Sequence, residues 1–189
     1  MDKGGVVTLD HDWMEHRFKL FEQYTLPSVV EQTCDDFEWL VLFDRQTEAC
    51  WFEKILDRSE FTPVFLGSDW LAELQLMLRT EQQRILITTR LDNDDAICPR
   101  FIEVIQKRVN LTAGDQFLNI PNGYIQRGSV LEKTHHRANP FMTFVEHGTA
   151  RSVYFTPHGV AMTRHAPIVQ ITEERLWVQI IHERNYVND

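Results

Sequence analysis

The chain has 189 residues, 43% apolar and 25% charged, an ordinary globular composition that excludes disordered and low-complexity classes and suits one domain. Its 28 acidic against 19 basic residues leave a net charge of −9, which argues against a nucleic-acid partner, because a phosphate backbone needs cationic surface. No apolar run approaches the roughly 20 residues of a membrane helix, and three scattered cysteines behind an acidic start read as reduced thiols in the cytoplasm.

Residues 13–24 are rich in helix formers and put Trp13, Arg17, Leu20 and Tyr24 on one side. A new helix then runs to Thr33, with Thr25 as its cap and Pro27 in the first turn, where a missing N–H costs nothing. Asp35 and Asp36 make a turn, and FEWLVLF (37–43) is a strand that ends at Asp44. A helix follows over 48–58, a short strand over 61–66, and a helix over 70–80 capped by Asp69. RILITT (84–89) has the texture of a buried strand and leads directly into Arg90, Leu91, Asp92, Asn93, Asp94 and Asp95. Pro99 opens a helix over 100–109. This alternation predicts an α/β domain with a mainly parallel sheet.

Beyond Asn110 the texture is richer in β and loop. Residues 116–120 and 124–130 read as strands joined by a Pro121-Asn122-Gly123 turn. Residues 131–140 read as a polar loop in which His135 and His136 are solvated, and 152–156 and 159–163 as short β-prone pieces. Residues 173–182 suit either a short helix or a strand. This half is expected to wall a pocket beside the sheet. Trp13, Trp39, Trp51 and Trp70 sit at apolar-periodic positions and are expected in the core.

The strongest chemical signal is the carboxylate run at 92–95. Ligands of open α/β sheets bind beyond the carboxyl ends of the strands. Clustered carboxylates repel one another and raise each other's pKa unless a cation lies between them. Oxygen ligands suit Mg²⁺ or Mn²⁺, which complete their shells with substrate phosphates and water. The same residues also suit a solvated turn, with Asp95 capping the next helix. No HExxH or Cys/His spacing points to a zinc enzyme.

The segment from Leu26 to Asp44, with its Ser28-Val29, Gln32-Thr33, Asp36-Phe37-Glu38 and closing Asp44, resembles the corresponding stretch of GT-A glycosyltransferases. Thr88-Thr89-Arg90-Leu91-Asp92-Asn93-Asp94-Asp95 resembles their DXD motif. Together with Pro121-Asn122-Gly123-Tyr124, Asn139-Pro140-Phe141 and a tail from Trp177 to Asn185, the chain resembles the putative rhamnosyl transferase family over nearly its whole length.

The resemblance implies one GT-A-like domain over 1–189, with a nucleotide-binding half (1–110) and a sugar and acceptor half (111–189). It implies a nucleotide-diphosphate sugar donor, such as deoxythymidine-diphosphate rhamnose, and a glycan or other hydroxyl acceptor. In this reading Asp92, Asp94, Asp95 and His182 hold Mn²⁺ or Mg²⁺, which takes up charge on the leaving diphosphate. Asp44 accepts from the pyrimidine N–H, and Arg90 pairs a phosphate through its planar fork. A carboxylate deprotonates the acceptor. Glu146, beside apolar Phe144 and Val145, ranks before Glu173 and Glu174 for that role. His158 is a second candidate metal ligand, and Tyr124, Arg127 and Trp177 are candidates for the sugar or acceptor wall.

A first strand, which usually floors the nucleotide pocket in this fold, falls to residues 6–9, or else the first βα element is missing. In the latter case the chain reads as a truncated or inactive binding module. A metal-dependent nucleotidyltransferase or phosphatase is a further alternative, without a glycine-rich phosphate loop to support it.

Overall fold

The computed structural model describes residues 11–79, 85–157 and 164–183. The expected strand at 6–9, His158, the piece at 159–163 and the end of the tail lie outside them.

Helix α1 (His11–Leu20) does not stop before Pro27. It continues through a π-helical stretch (Phe21–Thr25) into α2 (Leu26–Val30). The wide turn is closed by the Leu26 N–H on the Phe21 carbonyl. It lies just upstream of Pro27, whose ring would crowd the carbonyl four residues back in a regular helix. Thr25 is therefore not a cap. Its backbone is helical, and its hydroxyl donates to the Asp95 carbonyl at 2.8 Å.

Strands β1 (Leu40–Asp44) and β2 (Thr62–Leu66) pair in parallel around α3 (Ala49–Leu56), as a βαβ unit requires. Next come α4 (Trp70–Leu78), β3 (Ile85–Thr89), the short β4 (Ala96–Ile97) and α5 (Phe101–Arg108). Asp69 precedes α4 without a side-chain cap bond. The second half supplies β5 (Gln116–Asn119), β6 (Asn122–Arg127), β7 (Val130–His135), β8 (Thr143–His147), β9 (Ile168–Gln170) and β10 (Arg175–Ile181). Residues 153–155 form a 3₁₀ turn rather than a strand.

The architecture is α/β with mixed sheets, which corrects the expectation of a mainly parallel one. Among the described residues three strand pairs are parallel (β1/β2, β6/β10, β5/β9) and four antiparallel. One four-stranded sheet has the order β3-β8-β5-β9 and the other β4-β10-β6-β7. The Pro121 turn thus carries the chain from one sheet to the other and does not close a hairpin. The hairpin is β6/β7, turning at Gly128 with φ +57°. β7 occupies part of the expected polar loop and forms an exposed edge.

Three apolar clusters hold these layers. Aromatic residues dominate the one between α1 and the β1/β2 unit, where Phe21, Trp51 and Phe61 are buried and Phe18 stacks on Trp51 at 4.9 Å. Trp177 anchors a second, fully buried, stacked on Phe141 and donating its indole N–H to the Ile120 carbonyl at 2.7 Å. Gly123 lets β6 pass over that indole, since a Cβ there would come within 2.1 Å of it. Phe117, Met142 and Phe144 centre the third. No helix among the described residues is long and apolar enough to cross a membrane.

Candidate active site

A cleft of about 930 Å³ opens where α1, the carboxyl end of β1 and the acidic loop after β3 meet. Its wall includes Asp44, Arg90, Asp92, Asp94 and Asp95 from the sequence reading. It also includes Arg17, Trp13, Trp70, Tyr154 and His136, to which that reading gave no role in a site.

Two anchors hold the acidic loop. Asp95 is buried, and its Oδ1 accepts the Ile180 N–H of β10 at 2.8 Å, while its carbonyl takes the Thr25 hydroxyl. Burial pushes the Asp95 carboxyl up to about 8. The Ile180 N–H opposes that shift, and the nearby Asp94 and Asp92 charges add to it. This geometry makes Asp95 a fastening of the loop.

Asp94, one residue before, is also buried. Its Oδ2 receives the Arg17 Nη1 at 2.8 Å and the His182 Nε2 at 2.9 Å. The His182 Nδ1 lies 3.4 Å from His16 Nε2. The acidic loop and the tail thus meet across 88 residues of sequence. Arg17 also donates to the Asn93 side chain, which leaves its buried Nε without a hydrogen-bond partner among the described residues.

Asp92, on the same wall, has a different partner. Arg90 chelates both its oxygens, at 3.0 and 3.1 Å, and lies 5.6 Å over the Tyr154 ring. Burial pushes the Tyr154 phenol up to about 12. Trp70 meets that ring edge-on at 5.8 Å and is 41% exposed, so it belongs to the cleft and not to the core. Asp44 stands exposed at the end of β1, one oxygen accepting the Gln46 N–H at 2.7 Å.

The donor set suits a divalent cation in part. A carboxylate and an imidazole come together at Asp94 and His182, the mixture that Mn²⁺ accepts. Both acidic side chains are meanwhile neutralised by guanidinium groups. Among the described residues, no three of Asp92, Asp94, Asp95 and His182 close to within 4.8 Å. The trio that does is His11, Glu48 and Cys50, which is exposed and outside the cleft.

Glu146 is not on the cleft wall. It is fully buried in β8, where its carboxylate accepts from the Thr149 hydroxyl at 2.7 Å, the Arg151 N–H at 2.9 Å and the Ser152 N–H at 2.8 Å. With its oxygens so engaged it braces the turn that follows. Glu173 and Glu174 pair with Arg108 and Arg100 and also lie off the wall. Trp177 is core, Tyr124 lies under Arg175, and Arg127 is exposed, so none of the three lines the cleft.

Arg17 and Trp13 carried one legible signal, a cation and an indole one turn apart on the inward side of α1. Tyr154 and His136 carried none, because only the packing of the second half brings them to the cleft.

A family model described as Putative rhamnosyl transferase matches residues 6–189. No curated protein matches the chain.

Proposed function

We infer, because the chain belongs to the putative rhamnosyl transferase family, that it moves rhamnose from a nucleotide-diphosphate donor to an acceptor hydroxyl in a GT-A-like domain. The observation that supports this reading is the meeting of Asp94, His182, Arg17 and Arg90 at the end of β3, in one cleft with Asp44. A leaving diphosphate carries concentrated negative charge, and a site that lowers its departure barrier must present fixed positive charge.

Arg90 and Arg17 meet that need on this chain, since each guanidinium fork matches two phosphate oxygens. Asp94 and His182, with Asp92, would hold Mn²⁺ or Mg²⁺, which when bound supplies further positive charge to the diphosphate. Asp44 accepts from the ring N–H of the base. The faces of Trp13 and Trp70 offer stacking surfaces for the base or the sugar. With Glu146 elsewhere, the acceptor proton falls to a group on the wall. His136, exposed and outside any ion pair among the described residues, is our candidate.

The test is a titration of deoxythymidine diphosphate and uridine diphosphate with and without Mn²⁺, followed by release of nucleoside diphosphate from the sugar donor with acceptor present. Metal-dependent binding and acceptor-dependent release are expected. Absence of nucleotide binding would assign the chain to the inactive-module alternative. That alternative draws on the neutralisation of Asp92 and Asp94 by arginine.

A further inference from the structure

Three side chains with different donor atoms meet outside the cleft. His11 opens α1, Glu48 immediately precedes α3, and Cys50 lies in the first turn of α3. Each brings one ligand atom within 4.8 Å of the other two. Glu48 makes no side-chain cap bond to α3, and its Oε2 lies 3.6 Å from the Cys50 Sγ. Tetrahedral zinc, with bonds of about 2.0 Å to oxygen and about 2.3 Å to sulfur, holds those two atoms about 3.5 Å apart. The Glu48–Cys50 pair thus already has ligand spacing. His11 supplies the third donor from another helix, its ring resting against the buried Trp51 at 5.3 Å between centroids. The nearest charges on the same helices are engaged elsewhere. Glu15, one turn on from His11, pairs with Lys19, and Lys54, one turn after Cys50, lies over the Trp51 ring at 4.5 Å.

We propose that His11, Glu48 and Cys50 form a zinc site that ties the start of α1 to the start of α3. A thiolate, an imidazole and a carboxylate are the donors that zinc takes, and the sulfur sets this site apart from the acidic loop, whose ligands are oxygens. Cys50 gives up its thiol proton to solvent on binding. Two anionic ligands and a neutral imidazole then cancel the charge of the ion, and water fills the fourth position. Trp13 lies two residues after His11 and Thr47 one residue before Glu48, and both line the cleft. The tie therefore joins two segments that carry cleft wall. The inference stands on these three residues and does not depend on sugar transfer.

Titration of the reduced, metal-free full chain with Co²⁺ and Zn²⁺, without nucleotide, tests this. One equivalent of Co²⁺ is expected to give the sulfur-to-cobalt charge-transfer band and the intense visible bands of tetrahedral cobalt, and Zn²⁺ is expected to displace it. Cys50→Ser should abolish the charge-transfer band and weaken Zn²⁺ at least about tenfold. His11→Ala should weaken Zn²⁺ at least about tenfold and Glu48→Gln at least about threefold. Asp94→Ala, in the cleft, should leave the band and the Zn²⁺ affinity within about twofold of wild type. Excess Zn²⁺ should raise the melting temperature of the wild type by at least about 2 °C, and that of C50S by less.

The three substituted side chains are exposed, so the variants are expected to fold, which circular dichroism checks. Should C50S fail to fold, H11A decides by its Zn²⁺ affinity. A wild type without the charge-transfer band, a band that survives in C50S, or unchanged Zn²⁺ affinity in H11A overturns the proposal. So does loss of the tight Zn²⁺ site in D94A alone, which would put the ion in the cleft. None of these outcomes bears on nucleotide binding, so the transferase reading stands or falls separately.

Discussion

The Asp95 carboxylate accepts the backbone N–H of Ile180 at 2.8 Å, across 85 residues of sequence. That bond sets the place of the tail on the acidic loop. One residue back along the loop is Asp94, and two residues on, just past the end of β10, is His182; these two meet at 2.9 Å. Thr25, in the π-helical turn, holds the same loop through the Asp95 carbonyl.

Asp95→Ala should therefore act on both stability and the site. It removes the Asp95 acceptor of the buried Ile180 N–H, at a cost of about 1–3 kcal/mol in urea unfolding. It should also weaken nucleotide binding in the fraction that stays folded, because His182 is no longer held beside Asp94. A stable variant with wild-type nucleotide affinity would show the anchor to be dispensable.

The raised Asp95 pKa implies a pH dependence of stability whose sign follows from the shift. Its folded value of about 8 lies above the ordinary 3.8, so between them the native state keeps a proton that the unfolded chain has lost. This contribution is complete below about pH 4 and fades as pH rises through about 8. Asp95→Asn keeps an acceptor for Ile180 and cannot ionise. Urea melts at several pH values should show a shallower fall of stability with pH in D95N than in wild type, and equal slopes would refute the assignment.

Glu146→Gln should damage the fold and leave the cleft chemistry alone. The amide replaces one carboxylate oxygen with an N–H donor facing groups that already donate, with Arg151 3.5 Å away. A loss of about 3 kcal/mol is expected, the scale of breaking a buried charged network. Nucleotide affinity per folded molecule should match wild type. Loss of transfer at full stability would restore Glu146 to the site.

Gly123→Ala tests the approach of β6 to Trp177. The added methyl would lie 2.1 Å from the indole, which is closed in by Phe141 and the Ile120 carbonyl. Overpacking of this kind costs about 1–3 kcal/mol or more, with the melting temperature falling accordingly. An unchanged melting temperature would mean that the strand can move aside.

Arg90→Ala should weaken nucleotide binding about tenfold, with little effect on stability, because the Arg90–Asp92 pair is partly exposed and such pairs contribute little to folding. Equal nucleotide affinity in the variant would remove Arg90 from the phosphate site.

Most of the helices and the strands at 40–44, 62–66, 85–89 and 116–119 were legible in the sequence, because the apolar period that marks them is local. So was the acidic loop at the end of β3, and the family, whose motifs are contiguous stretches such as TTRLDNDD and WVQIIHERN. β7 was not, because an exposed edge strand needs no buried face and VLEKTH shows none. Strand partners were not legible either. β8 lies antiparallel between β3 and β5, a choice made by contacts far apart in the chain. The same holds within the site. A sequence shows that Asp92, Asp94, Asp95 and Glu146 are carboxylates, and their types and spacing raise all four as candidates. Only the tertiary structure gives each its partner: a strand amide for Asp95, an arginine and an imidazole for Asp94, an arginine fork for Asp92, a buried turn for Glu146. Burial and charge partners decide what a carboxylate can do, and both are properties of the folded neighbourhood, set by residues that lie far away along the chain.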